Sequence, residues 1–308
     1  YLTNYEEQNW LTTNTGRKKG TFGTRGTVAY NFFDKEDPDV DGDGPPSEGG
    51  FNEAFVAHRK KMIDQFGSTP EGMGKHMQDA GIKSVYLMAP NYQAGKDMLA
   101  GFKRYYKGTI KGEVYTKLGQ SDFQAELSAL RAAGADATMI FQPGGMGINF
   151  VKQWKQAGMD SVSKLYTVFS VDGVSLPALK DAAIGILGTQ TWSPDLDNAI
   201  NKKFVADYKA KFGAYPSFYA AQAYDTILAI DHAIAKSSSK DTAKMRAVLA
   251  AGNIPTTRGN LKMNTNQFPI QNIYLREAVK DADGVVTTKV TGTVFTDHAD
   301  SYASQCKF

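Results

Sequence analysis

Lys83-Ser-Val-Tyr-Leu-Met-Ala-Pro90, running into Asn91-Tyr92-Gln-Ala-Gly95, decides the fold of this chain. It reads as an apolar strand that ends in a short loop before a helical pattern. The layout returns at Ala137-Thr-Met-Ile-Phe141, which leads into Gln142-Pro-Gly-Gly-Met146. It returns again at Leu165-Tyr-Thr-Val-Phe169, followed by Ser170-Val-Asp172-Gly173. A last run, Ile184-Gly-Ile-Leu-Gly-Thr-Gln-Thr-Trp192, stops at Ser193-Pro194. Short strands alternating with helices signal βαβ units around a parallel sheet. Ligands of such sheets bind outside the carboxyl ends of the strands, so the loops at Tyr92, Gln142–Met146 and Asp172 are the candidate site.

The pattern extends outward from this block. Ser68-Thr69-Pro70-Glu71 has the capping residue, proline and early acid of a helix start, with the helix over Gly72–Ala80. Helices are predicted over Ala94–Tyr106, over Asp122–Ala133, with Phe123, Leu127 and Leu130 at helical spacing, and over Ile148–Ala157, closed by Gly158. Ile110–Tyr115 is a short strand. Three helical runs follow, Asp195–Phe212, Ser217–Lys236 and Asp241–Ala251, the last ended by Gly252. The tail then changes period. Thr257–Met263 and Ile270–Val279 look like strands, Asp281-Ala-Asp-Gly284 is a turn, and Val285–Phe295 continues as strand.

Bulk properties narrow the function. The chain has 308 residues, which suggests about two domains of ~100–200 residues each. Its formal net charge of +3 is too mild to indicate nucleic acid, and Arg59-Lys60-Lys61 is too short a basic run to form a patch. No stretch approaches the ~18 consecutive apolar residues of a membrane span. The single cysteine, Cys306, cannot form an internal disulfide. The chain opens on Tyr1 with no leader pattern, as expected of a cleaved signal peptide or a fragment. None of the four histidines sits in a nucleophile–base motif, and Gly144-Gly145-Met146-Gly147 lacks the Lys-Ser/Thr of a phosphate loop. No enzymatic activity is expected.

Two readings compete at the candidate residues. Asp172, beside a glycine, is a turn or helix-capping aspartate, or a carboxylate aimed at a ligand cation. Tyr92 is ordinary surface, or an aromatic wall with a hydroxyl handle.

Residues 1–67 differ from the rest. Thr27–Phe33 is a candidate strand, and Phe51–Phe66 has helical spacing. Asp34–Gly50 is acidic and rich in Gly and Pro, so little packed core is expected before residue 50. Within it Asp37, Asp39, Asp41 and Glu48 fall at the oxygen-ligand positions of a calcium loop, with Gly42 at its turn. Gly44 replaces the usual apolar residue and Pro45-Pro46 suits a helix poorly, which favours an acidic linker. Calcium is the single cofactor the sequence raises.

A resemblance sharpens the reading. Val85 to Tyr106, Phe141-Gln-Pro-Gly-Gly-Met-Gly-Ile-Asn-Phe-Val-Lys-Gln-Trp154 and Asn264 to Glu277 resemble type I periplasmic binding proteins. More narrowly they resemble the branched-chain amino-acid ABC-transporter substrate-binding group, and Gly292–Phe295 and Gln305–Phe308 agree. The resemblance runs from about Ser68 to Phe308. It implies a two-lobed α/β clamshell with parallel sheets that closes on an amino acid or an aromatic or aliphatic carboxylate. It further implies periplasmic delivery of that ligand to an ABC permease. By the same resemblance Tyr92 lines the pocket, Asp172 holds a ligand ammonium, and Gln142, Gly144, Gly145 and Met146 form the middle loop. The implied organisation is a second lobe over 68–194, a helical return to the first lobe over 195–258, and a β-rich closing segment over 259–308. The first-lobe strands and helices of the family are not recognisable in residues 1–67, so that lobe is expected to be incomplete or remodelled. A sensing module, or a remnant without binding, are the alternatives.

Overall fold

The computed structural model describes residues 68–305. Outside them lie the segments read at 27–33, 34–50 and 51–66, the calcium-loop residues Asp37, Asp39, Asp41 and Glu48, and Cys306. The first half of the described chain alternates strictly: α1 (Ser68–Asp79), β1 (Ser84–Pro90), α2 (Gln93–Tyr105), β2 (Thr109–Thr116), α3 (Gln124–Ala133), β3 (Ala137–Ile140), α4 (Gly145–Gln156), β4 (Lys164–Val168), α5 (Leu176–Leu179) and β5 (Leu187–Gln190). The strands lie in the order β2-β1-β3-β4-β5, all parallel. This is the mostly parallel α/β sheet that the alternation predicts.

β1 and β3 are buried along their whole length. Successive strand residues point to opposite faces, so such strands need cover on both sides. Tyr86 and Met88 join Phe123, Leu127, Leu130, Phe150 and Trp154 on the α3–α4 face. Val85, Leu87 and Ala89 join Met73, Met77, Met98, Leu99 and Phe102 on the α1–α2 face. β2, at the sheet edge, is mostly exposed.

Three helices follow, α6 (Ala199–Phe212), α7 (Phe218–Ser237) and α8 (Thr242–Ala250). Asn198, Ser217 and Asp241 cap them, each accepting an N–H three residues on. Trp192, Phe204, Phe218 and Ala221 form a small separate core there. α7 still leaves Ile227 (65 % exposed), Ile230 and Ile234 uncovered.

The tail forms β6 (Ile254–Thr256), β7 (Gly259–Met263), β8 (Pro269–Lys280) and β9 (Val286–His298). β8 adds antiparallel to β5, and β9 pairs with β8. The Asp281–Gly284 turn is present: Asp281 Oδ1 accepts the N–H groups of Asp283 and Val285.

Two expectations need correction. The run read as a strand over 257–263 becomes strand only at Gly259, because Thr257-Arg258 is the turn of a hairpin that joins it to β6. Buried Asp225 of α7 makes that turn: it accepts Thr257 N–H at 2.7 Å, Thr257 Oγ1 at 3.0 Å and Arg258 Nε at 3.0 Å. α4 begins at Gly145, three residues before the predicted start, because Gly144 takes φ 62°, a turn a glycine adopts freely.

Candidate functional site

The strand order fixes where a site can form. The chain leaves β1 toward β2 and then returns past β1 to β3, so the loops after β1 and β3 run in opposite directions. The crevice between them is the usual ligand position in such sheets. Tyr92 follows β1, Gln142 follows β3, and Asp172 follows β4, the next strand along.

Tyr92 precedes α2 in extended conformation, and its half-buried ring stacks on Phe141, 6.4 Å away at 14°. Phe141 meets Phe169 edge-on at 6.2 Å, and Phe169 meets Phe218 of α7 at 5.4 Å. An aromatic row thus crosses the carboxyl ends of three strands and reaches the first turn of α7. Phe169 holds φ 56°, a left-handed conformation that costs a non-glycine residue on the order of 1–3 kcal/mol. Strain of that kind concentrates at functional sites.

Asp172 is buried, and much of it is engaged locally. Its Oδ1 accepts Val174 N–H at 2.9 Å, its N–H donates to Ser175 Oγ at 3.0 Å, and its carbonyl accepts Leu176 N–H at 2.9 Å. These bonds turn the chain into α5, so the turn reading of Asp172 is correct as far as it goes. Burial pushes its carboxyl above the usual range, against the Val174 N–H and the nearby Arg276 charge, which pull it down. Arg276 is itself fully buried, and desolvation lowers it to about 10. One guanidinium nitrogen donates to the Trp192 carbonyl at 3.1 Å and to Thr288 Oγ1 at 3.4 Å, while Nε has no partner among the described residues.

Tyr219 follows Phe218 at the head of α7. Its ring is half exposed on the first turn of α7. Desolvation and then the Asp172 carboxylate raise its pKa, and desolvation and then Tyr219 raise that of Tyr92. Gly173 brings α7 this close. A Cβ there would lie 2.6 Å from the Pro216 carbonyl oxygen and 2.9 Å from Ser217 Cα.

The middle loop behaves differently. Gln142 is buried, its N–H donates to Ser170 Oγ at 2.9 Å, and its side-chain amide turns to Thr116 Oγ1 at 3.0 Å, toward β2. Met146 packs against the α3–α4 core, and its sulfur accepts Gly119 N–H at 3.2 Å. Gly144 and Gly145 stay exposed at the head of α4 with open space beside them. Tyr92 and Asp172 therefore both lie within electrostatic reach of Tyr219, whereas the side chains of Gln142 and Met146 turn toward β2 and the α3–α4 core.

A cavity of about 280 Å³ adjoins the row at Phe169 and Phe218, with Gln190, Thr191, Arg258 and Gln271 among its walls. Its far wall holds Glu71, which accepts Arg104 Nε at 2.9 Å and Ser301 Oγ at 3.0 Å and bonds His298 Nε2 at 2.8 Å. Glu71, read from sequence as an early helix acid, thus pins the chain tail to α1. Phe218 and Tyr219 were missed. They open a helix far along the chain, and only tertiary packing brings them to Asp172. Among the described residues no cluster of His, Cys, Asp and Glu is placed to hold a metal, and no helix is long and apolar enough to cross a membrane.

Comparison with known proteins agrees with this fold. The periplasmic binding protein family matches residues 62–284. The Leu/Ile/Val-binding protein homolog 6 of Brucella melitensis is 29% identical over 221 residues, covering 68% of this chain and 57% of that protein. A solute binding protein of an ABC transporter from R. palustris, solved in complex with benzoate, is 28% identical with a TM-score of 0.71, covering 79% of this chain and 67% of its own. One from Rhodopseudomonas palustris BisB5, solved with 3,4-dihydroxy benzoic acid, is 30% identical with a TM-score of 0.70, covering 77% and 66%. The parallel sheet, its strand-end site and these likenesses place the chain among the type I periplasmic binding proteins, in the branched-chain amino-acid ABC-transporter substrate-binding group.

Proposed function

We propose that this chain captures a small aromatic carboxylate at the carboxyl ends of β1, β3 and β4 and delivers it, in the periplasm, to an ABC permease. The aromatic row from Tyr92 through Phe141 and Phe169 to Phe218 carries this reading. A flat ring laid on such a row gains about 0.5–1.5 kcal/mol per aromatic pair beyond the area it buries. The two R. palustris proteins solved with benzoates support the same ligand class. Binding, rather than catalysis, is the role of the site.

Asp172 favours a second reading, an aliphatic amino acid whose ammonium meets the carboxylate, in line with the name of the Brucella relative. Against it, Oδ1 is already engaged by Val174 and burial resists ionisation. Calorimetry with benzoate, 3,4-dihydroxybenzoate and leucine separates the two. The aromatic reading expects heat from the benzoates, a negative heat-capacity change, and at least a tenfold loss, about 1.4 kcal/mol, in Tyr92→Ala. Heat from leucine alone installs the amino-acid reading. No heat from any of the three rejects both and leaves the remnant.

A further inference from the structure

The short segment between α6 and α7 is anchored at one residue. Tyr215 Oη donates to Asp281 Oδ2 at 2.8 Å, across 66 positions of chain. Lys209 Nζ lies 4.1 Å from the centre of the Tyr215 ring and 3.8 Å from the same carboxylate oxygen. Asp281 divides its work between its two oxygens. Oδ1 builds the β8–β9 turn by accepting the N–H groups of Asp283 and Val285, at 3.0 and 2.8 Å. Oδ2 faces the phenol and the ammonium. The turn therefore does not depend on Tyr215.

The four residues after Tyr215 run straight into the site. The carbonyl of Pro216 presses on Gly173, the neighbour of Asp172. Ser217 caps α7, its Oγ accepting Ala220 N–H at 3.2 Å. Phe218 then packs on Phe169, and Tyr219 comes within electrostatic reach of Asp172 and Tyr92. A tether four residues before Tyr219 sets where that first turn sits.

We propose that Tyr215 is a positioning residue: with Asp281 and Lys209 it latches the head of α7 to the sheet, and the strength of this latch sets how long a ligand stays bound. The retention part rests on the binding function proposed above, and the latch itself does not.

Hydrogen exchange on the ligand-free full chain tests the latch first, comparing parent, Tyr215→Phe, Asp281→Asn and the double variant. A net hydrogen bond of ordinary strength predicts exchange about two- to tenfold faster across residues 217–225 in each single variant. The double variant should be no faster than Asp281→Asn, since removing the carboxylate already removes the partner that Tyr215 would lose. Peptides from α1 and β1 should not change. Unaltered exchange at 217–225, or additive increases in the double variant, overturns the latch. Stopped-flow with benzoate then reads retention. Dissociation should accelerate by about the same two- to tenfold while association stays within about twofold, since interface changes act mainly through off-rates. An unchanged dissociation rate alongside faster exchange overturns the retention part. If benzoate binds none of the proteins, the proposed function fails, and the exchange result still decides the latch.

Discussion

The sheet between Ser84 and Gln190 and the helices between Ala199 and Ala250 come from the same chain, yet their apolar side chains end differently. Both faces of the sheet are covered by helices, most of which follow their own strands, and the large side chains turned in from that cover, Phe102, Phe123, Phe150 and Trp154, are fully buried. α7 buries Phe218, Ala221, Asp225 and Ala233 but leaves Ile227, Ile230 and Ile234 exposed. A βα unit supplies the cover for its own strand. A helix depends on whatever layer the fold brings against it, and among the described residues that layer is the neighbouring helix α8 and the three-residue strand β6. An apolar residue on a helix is therefore a good guide to burial in the first region and a poor one in the second.

The largest effect should fall in the sheet core. Trp154→Ala removes a fully buried ring and should cost about 3–5 kcal/mol in chemical denaturation. A loss under about 1 kcal/mol would show that the sheet region is not the well-packed half. Asp225→Ala comes next. It takes the carboxylate from the largely buried Arg258, leaving that side chain only its bond to Gln271, and frees the Thr257 N–H, and breaking a buried pair costs about 3 kcal/mol or more. That loss would show the helical region to be held by one polar knot rather than by apolar cover, and a near-neutral result would remove this distinction.

Asp172→Asn should have a smaller effect of opposite sign. Burial raises the folded-state pKa of Asp172. The stability tied to its neutral form is then complete below the unfolded pKa and lost as pH rises through the folded one. Asn keeps the acceptor for Val174 N–H and carries no charge, so the variant should melt higher than the parent at pH 7. The gain should vanish as the pH is lowered below the ordinary carboxyl range. A variant that melts lower at pH 7 would mean the Arg276 charge outweighs desolvation. Ile230→Ala, on the open face of α7, should change stability by less than about 0.5 kcal/mol. A cost of ~2 kcal/mol or more would show that this face is covered in solution.

The same contrast explains what could be read from sequence. β1, β3 and β4 were legible because strands covered on both faces are continuous apolar runs bounded by Pro, Gly or Asp. The strand-end rule then pointed to the loops that carry Tyr92, Gln142 and Asp172. The Thr257-Arg258 turn was not legible, because it has no turn residues of its own and is shaped by Asp225, 32 positions away. Phe218 and Tyr219 look like ordinary helix residues until Gly173 lets α7 press on the Asp172 loop. Gln142 lies in the loop after β3, but its side chain bonds Thr116 across the end of the sheet, and nothing in its neighbours signals that direction.

The aromatic row as ligand platform is the central claim, and a crystal structure of the protein grown with benzoate tests it most directly. The account predicts the benzoate ring within about 4.5 Å of the rings of Tyr92 and Phe169, with Tyr219 over it. Benzoate found on the open face of α7, or absent from the row in crystals where it binds elsewhere, would contradict it.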